Sequence, residues 1–515
     1  MLVYIGYTIY CVCNLLLFFY CVKPFCIFDA SNWTLSYMKL NQFSKTLLIL
    51  LATASILLAY PFIHEKVPFL KQHFRTYDFW GKFYHSCPKE KIVTPPEDTL
   101  AVEEPQETRG YDGLSTLTNF YRALQSRDGQ IRIAYYGDSS IEGDLISQTL
   151  RDSLQRRFGG KGVGFVPITT HVSGFRRSVR HRFSPNWYTC KVTTNNYRKL
   201  PRGISGEYYT IWHYTPKPDT LSADSTLVDT IPPPAAYNGG HWVTYGTTRL
   251  NPGTGTFSNA RLFYGTIKTD SLTVFKPANL TVTIGKEEQT ISLDGRDAVN
   301  EVWLTQSAAN RIRLDFSASS ALPVFGASLE SPQGVIVDNF SARGNSGALL
   351  TNITPVVLEQ FQSKLDYELV ILQFGLNVLN AEMEDYSWYE KEMTRLIRYY
   401  QAHMPGVDIL VVGVSDKATR IDGKMMTDPS VPRITQAQRQ AAQNAGVAFF
   451  SLYEAMGGEG AMIKWVEEET PRLANLDYAH FNFEGADKAA QMLLDFLMDG
   501  YAQYLKKDTL GQLIQ

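Results

Sequence analysis

Hydrophobic and polar positions fall into three textures along the chain. Residues 1–22 carry no charged side chain, and Thr46–Ile63 form a second uncharged run close to the length a bilayer requires. Both runs lack a polar face, so residues 1–63 are expected to be a membrane anchor or uncleaved export signal with one or two transmembrane segments. Lys39 and Lys45 precede the second run and Lys66, Lys71 and Arg75 follow it, which leaves its orientation open; Met38 is a candidate start of translation. Between Pro88 and Arg109 the chain is rich in Pro, Glu and Lys, and 64–110 reads as a linker.

The second texture is helical stripes alternating with unbroken apolar strands. Asp112–Leu124 is amphipathic and leads into a strand from Ile131 to Gly137. Ile146, Leu150, Leu154 and Phe158 then recur every four residues, predicting a helix with Asp144 as N-cap and Gly159-Gly160 as its stop. The same texture resumes at Val335. Strands are predicted at Val335–Val337, Glu368–Phe374, Asp408–Val412 and Val447–Phe450. A helical stripe falls on Tyr389, Met393, Leu396, Ile397 and Tyr400, and Thr435-x-x-Gln438 reads as a capping box. Strands without polar alternation, separated by helices, imply a parallel sheet covered on both faces.

The third texture lies between. From about 170 to 332 short runs alternate at period two: Leu272/Val274, Leu280/Val282/Ile284, Ile291/Leu293, Val302/Leu304 and Ile312/Leu314/Phe316. With turns expected at Pro277-Ala-Asn279 and Asp294-Gly295, this predicts an antiparallel sandwich. The domain plan is therefore an α/β body in two pieces, 111–170 and 334–515, interrupted by an all-β insert at 171–333.

Composition narrows function by exclusion. The 515 residues are 44% hydrophobic and 19% charged, and 49 Lys plus Arg nearly balance 51 Asp plus Glu, so nothing overall points to nucleic acid. Four of the six cysteines, Cys11, Cys13, Cys21 and Cys26, sit in the apolar N-terminus and leave no disulfide framework. No C-x-x-C and no close histidine pair is present, and Gly159–Gly164 lacks the Ser/Thr that a phosphate-binding loop needs after lysine. No metal or cofactor is expected. The insert opens with Arg176, Arg177, Arg180, Arg182, Lys191, Arg198, Lys199 and Arg202 among Phe175, Trp187, Tyr188, Tyr197, Tyr208, Tyr209 and Trp212. That mixture fits either a glycan-facing surface or a solvated basic edge over core aromatics.

Candidate chemistry collects at strand ends. Ser139, in Gly137-Asp138-Ser139, follows the Ile131 strand at a turn whose amides are free to bind an oxyanion. Gly344 follows the Val335 strand in Asp338-Asn-Phe-Ser-Ala-Arg-Gly, and Asn377 follows the Glu368 strand in Gly-Leu-Asn. Of nine histidines only His480 has an aspartate, Asp477, three places before it, a spacing that can hold an imidazole in one tautomer. The G-x-S-x-G elbow is absent.

This set resembles the SGNH (GDSL-type) hydrolases over about 111–170 and 334–500, with Gly137-Asp-Ser139, Gly344, Asn377 and Asp477-x-x-His480 standing for the family's blocks. The resemblance implies a flavodoxin-like three-layer sandwich, Ser139 as nucleophile, His480 as general base and Asp477 as its orienter. It also implies an oxyanion hole from the Ser139 and Gly344 amides and the Asn377 side chain. The Gly-Asp-Ser-x-x-x-x-Asp start, the Arg-Arg-Phe-Gly-Gly-x-Gly-Val-Gly-Phe segment and the position of the insert are similar to exported bacterial peptidoglycan O-acetylesterases, whose inserted domain is like a carbohydrate-binding module. Val378 replaces an acidic residue usual after the asparagine, and Ser140 stands where closer relatives often carry histidine. The implied activity is hydrolysis of O-acetyl groups on a cell-envelope or extracellular polysaccharide by an inner-membrane-anchored enzyme facing the periplasm or the cell exterior. An O-acetyltransferase using the same residues and a non-catalytic glycan-binding protein are the alternatives.

Overall fold

The computed structural model describes residues 25–28, 35–38, 110–196, 199–210, 240–266, 278–317 and 322–514. The expected membrane region and linker therefore lie outside the described residues, except for an antiparallel pairing of Phe25–Phe28 with Leu35–Met38. Tyr197, Arg198, Trp212, Leu272, Val274 and Pro277 also lie outside. Among the described residues no helix is long and apolar enough to cross a membrane.

Five strands form the sheet that carries the site: β1 (Gln130–Gly137), β2 (Gly334–Ser341), β3 (Tyr367–Gln373), β4 (Asp408–Val412) and β5 (Ala448–Phe450). They are parallel, in the order β2-β1-β3-β4-β5. This is the flavodoxin-like order, in which neighbouring connections diverge beside β1 and open a crevice at the strands' carboxyl ends.

Helices cover both faces, as unbroken apolar strands require. On one side lie α1 (Thr118–Ser126), α2 (Ser147–Phe158) and the terminal α8 (Phe483–Ile514), whose Phe120, Leu150, Leu154, Leu493 and Leu497 pack with Ile131, Ile133, Ile371 and Val412. On the other lie α3 (Pro355–Leu365), α4 (Ser387–His403) and α5 (Ser430–Ala445), whose Val357, Leu396 and Ile434 pack with Ala134, Val370, Leu372 and Val411. The short helices α6 (Leu452–Met456) and α7 (Ala461–Glu467) lead toward the last turn before α8. The buried side chains of α4 are the five of its expected stripe.

The insert is a sandwich of two antiparallel sheets. One holds Arg180–Phe183, His241–Gly246, Ala278–Ile284, Glu287–Leu293 and Arg311–Ser317; the other holds Tyr188–Cys190, Tyr208–Thr210, Asn259–Tyr264, Asn300–Thr305 and Val324–Glu330. Gly164–Val166, placed by the sequence with the first α/β piece, instead pairs with Val324–Glu330 in the second sheet. Gly162 and Gly164 permit it: a Cβ on Gly162 would stand 2.2 Å from the Leu329 carbonyl oxygen, and one on Gly164 2.1 Å from an Asp338 carboxylate oxygen. Ala278 and Asn279, expected in a turn, begin a strand because they pair with Leu293 and Ser292.

The insert shares the core of the body. Phe361 of α3 lies 5.4, 5.8 and 6.4 Å, ring centre to ring centre, from Phe263, Phe325 and Phe165. Beside this aromatic cluster runs a buried polar seam: Arg132 of β1 pairs with Asp338 of β2 at 2.8 Å and with Glu330 of the insert, and Arg261 joins Glu330 at 2.7 Å. The Tyr367 hydroxyl donates to Asp338 at 2.6 Å. Two guanidiniums against two carboxylates keep buried charge compensated where the sheets meet.

Candidate active site

The nucleophile candidate stands on a braced shelf. After β1 the chain makes a tight turn, Ser139–Asp144, in which Asp138 accepts from the Ser140 amide at 2.9 Å and the Ser140 hydroxyl at 2.7 Å. Asn339 of β2 supports the turn from below, its amide donating to the Ile141 carbonyl and the Ser147 hydroxyl, both at 2.8 Å.

Asp144 is not the helix cap its position suggested. It is buried with a left-handed φ of 72°, two residues short of the residue that precedes α2. Its carboxylate takes two bonds from Arg151 at 2.7 and 2.8 Å, one from the Ser147 hydroxyl at 2.6 Å, and others from Ser178 and Arg176 of the insert. Burial alone would push this carboxyl up, but the two guanidiniums prevail and hold it well below the usual range. The turn carrying Ser139 is thereby tied to α2 and to the insert's first segment.

The base candidate comes from the far end of the chain. Ala474 and Phe481 form an isolated antiparallel bridge that pinches Asn475–His480 into a turn, with the Asn475 amide donating to the His480 carbonyl at 2.9 Å. Asp477 Oδ2 lies 2.8 Å from His480 Nδ1, and Asp477 Oδ1 accepts the Ala479 and His480 amides, each at 3.1 Å. His480 Nε2 lies 2.9 Å from Ser139 Oγ. Partial burial pushes the Asp477 carboxyl up, but its bonds from His480 and Ala479 outweigh that and leave it below its ordinary value. It is therefore ionised at neutral pH. The arrangement calls for Nδ1–H donating to Asp477 and Nε2 free to accept the serine proton.

The remaining candidates arrive at the same edge. Asn377, in a short turn after β3, donates its side-chain amide to Asp138 at 3.0 Å and to the Asn345 carbonyl at 3.1 Å, so it sits between the Ser139 turn and the Gly344 loop. Gly344 has φ 77°, a conformation glycine adopts without strain, and a side chain there would meet open space. Among the described residues neither the Ser139 nor the Gly344 amide donates to an acceptor.

Other residues at the site had no part in the reaction assigned from sequence. Asp138 is buried, and its carboxyl is raised by that burial despite bonds from Ser140 and Asn377. Glu142 of the turn pairs with Arg343, linking the serine's loop to that of Gly344. Gln438 accepts from the Val414 amide at 2.9 Å and donates to the Phe374 carbonyl at 2.7 Å, joining the ends of β3 and β4. It belongs to the middle of α5, where Thr435 bonds back to Val431, so the expected capping box is not one. Asp and Asn are common turn residue types, and only long-range bonds such as that from Asn377 to Asp138 distinguish them here.

Among the described residues no group of His, Cys, Asp and Glu could hold a metal ion. The geometry can perform nucleophilic acyl transfer: a hydroxyl, a base within proton-transfer reach, a carboxylate behind it, and free amides at a strand end.

Comparison with known proteins agrees in kind. Residues 307–488 match the model of the GDSL-like lipase/acylhydrolase family, a span that holds Gly344, Asn377, Asp477 and His480 but not Ser139. No curated protein matches the chain. A solved structure of a peptidoglycan O-acetylesterase superposes with a TM-score of 0.57 at 20% identity, covering 76% of this chain and 99% of that one. A family two carbohydrate esterase from Cellvibrio japonicus covers 64% of this chain and 99% of its own at 10% identity and a TM-score of 0.23, too low to carry an argument.

Proposed function

We propose, from the premise that residues 307–488 form a domain of the GDSL-like lipase/acylhydrolase family and that the chain is a carboxylic ester hydrolase, that Ser139 is its nucleophile and O-acetyl groups of a polysaccharide its substrate. The observation that carries the reading is the unbroken relay Ser139–His480–Asp477, with contacts of 2.9 and 2.8 Å between residues 341 positions apart and three positions apart.

In this scheme Ser139 Oγ attacks the acetyl carbonyl as His480 Nε2 takes its proton. The oxyanion accepts from the Ser139 and Gly344 amides and from Asn377, which exchanges one of its two present acceptors for it. Collapse expels the sugar oxygen, which His480 protonates, and water then releases acetate from the acyl-serine by the reverse traffic. The openness of the relay favours hydrolysis over transfer to a second sugar: His480 and Asp477 side chains are 39% and 50% exposed, so water reaches the acyl-enzyme freely. The uncharged runs before residue 64 are the basis for placing the enzyme on the bacterial inner membrane with its body in the periplasm or outside the cell, where such a polymer is found. Peptidoglycan is the first polymer to try, because it is the one named for the solved esterase of like fold.

Acetate release from a panel of O-acetylated polymers, peptidoglycan included, tests the proposal. Release from at least one, lost in Ser139→Ala, is expected; a protein that cleaves a chromogenic acetyl ester but none of the polymers contradicts the substrate class.

A further inference from the structure

A cleft of about 1130 Å³ opens in the insert, on the outer face of its five-stranded sheet. Its walls are basic by construction. In the antiparallel register Arg180 and Arg311 both lie opposite Gly246, one on each side, so the three share a sheet face and the glycine leaves the floor bare between two guanidiniums. Arg182 follows on the same face, and Arg177 and Arg249 close the rim. All five are exposed, and among the described residues none forms an ion pair and no Asp or Glu lines the cleft. The nearby Arg176 and Arg313 differ: Asp144 and Asp315 neutralise them. Five like charges facing one groove repel one another, and an anion laid among them removes that repulsion while filling donors built for bidentate bonds.

The cleft joins the reactive edge. Phe175, just before its wall, stacks on Phe483 at 4.9 Å and Arg177 lies 4.6 Å over the same ring, three residues beyond His480. Gly143 of the serine turn makes room for Phe175, since a Cβ there would stand 2.3 Å from the ring.

We infer that this cleft holds a carboxylate-bearing stretch of the same polysaccharide whose acetyl groups reach Ser139. The inference rests on the esterase reading for its substrate and adds the charge of that substrate. Arg180 and Arg311 stand two strands apart, about 9–10 Å. That separation suits carboxylates two sugars apart along a uronic-acid polymer better than the roughly 3.4 Å phosphate rise of a nucleic-acid strand. Flat sugar rings also suit a bare glycine floor.

The test uses the full chain carrying Ser139→Ala, so that binding is read without turnover, and polygalacturonate, neutral xylan and double-stranded DNA as probes. Polygalacturonate should bind in preference to xylan, and the combined Arg180→Gln, Arg249→Gln, Arg311→Gln substitution should weaken it at least about tenfold. Raising NaCl from 0.05 to ~0.5 M should do the same. With Ser139 restored, the triple variant should hydrolyse a small chromogenic acetyl ester at the parent's rate, which controls for folding. Unchanged polygalacturonate affinity in the triple variant overturns the inference, as does tighter binding of DNA. Polygalacturonate binding by the Ser139→Ala chain, when the parent releases no acetate from any polymer, contradicts the proposed substrate class and leaves the anion-binding cleft standing.

Discussion

The two halves of the reactive pair are held in opposite ways. Ser139 stands on a shelf whose supports are buried: Asp144 and Arg151 are each 1% exposed, and Asn339, Asp138 and the sheet beneath are covered. His480 and Asp477 sit on an exposed turn, pinned by one backbone bridge and by the carboxylate's own bonds to the turn's amides. The nucleophile's position is thus an outcome of folding, whereas that of the base is a local arrangement. Damage to the shelf should register as lost stability, and damage to the turn as lost catalysis in a protein that stays folded.

Asp477→Asn gives the sharpest break. It should lower kcat by about 10⁴ by presenting the wrong partner to the imidazole, while thermal unfolding stays near that of the parent because the pair is half exposed. A large fall in melting temperature would show that the turn is structural after all. Next, Asp144→Ala leaves Arg151 buried without its carboxylate and should cost about 3–5 kcal/mol in denaturant unfolding; a cost below about 1 kcal/mol would remove the shelf's supposed anchor. Asn377→Ala, between the halves, should reduce kcat by about a hundredfold or more with little change in KM. An effect below tenfold would take Asn377 out of the oxyanion role.

The smallest effect sharpens the contrast through pH. Burial at the opposite, amino end of the sheet pushes the Glu368 carboxyl up to about 8, despite the bond it accepts from the Arg132 amide. A carboxyl raised by folding is bound to a proton in the folded chain and not in the unfolded one between its ordinary range and that value. Stability therefore falls as pH rises from about 4.5 toward 8. Glu368→Gln should flatten that decline, measured as melting temperature at pH 5 and pH 8; an unchanged slope would contradict it. Asp477 has the opposite sign, since its lowered carboxyl supports the fold above its ordinary range and loses that support only in acid.

This division also explains what the sequence disclosed. Periodicity is local, so the five strands and the α4 stripe were legible, and Asp-x-x-His is a spacing within one turn. Gln438 and Gly164–Val166 owe their roles to partners more than 20 residues away, and Asp144 owes its role to Arg151 seven residues on together with Ser178 and Arg176 of the insert, whereas local rules assigned Asp144 to a cap and Gln438 to a capping box. Trp187, Tyr208 and Tyr209, readable as a sugar platform, are buried: Trp187 and Tyr209 in the core of the sandwich and Tyr208, on the opposite face of its strand, in the core shared with the body. Of the arginines interleaved with them, Arg177, Arg180 and Arg182 kept their place at the surface, and with it their capacity for recognition, whereas Arg176 and Arg202 are buried.

The central claim is that Ser139 is an activated hydroxyl, and a serine-directed fluorophosphonate measures that directly. Intact-mass and peptide analysis should find one adduct, on the peptide holding Ser139, formed rapidly in the parent and at least about a hundredfold more slowly in His480→Ala. An adduct that forms at the same rate without His480, or that lies on another serine, would contradict the account.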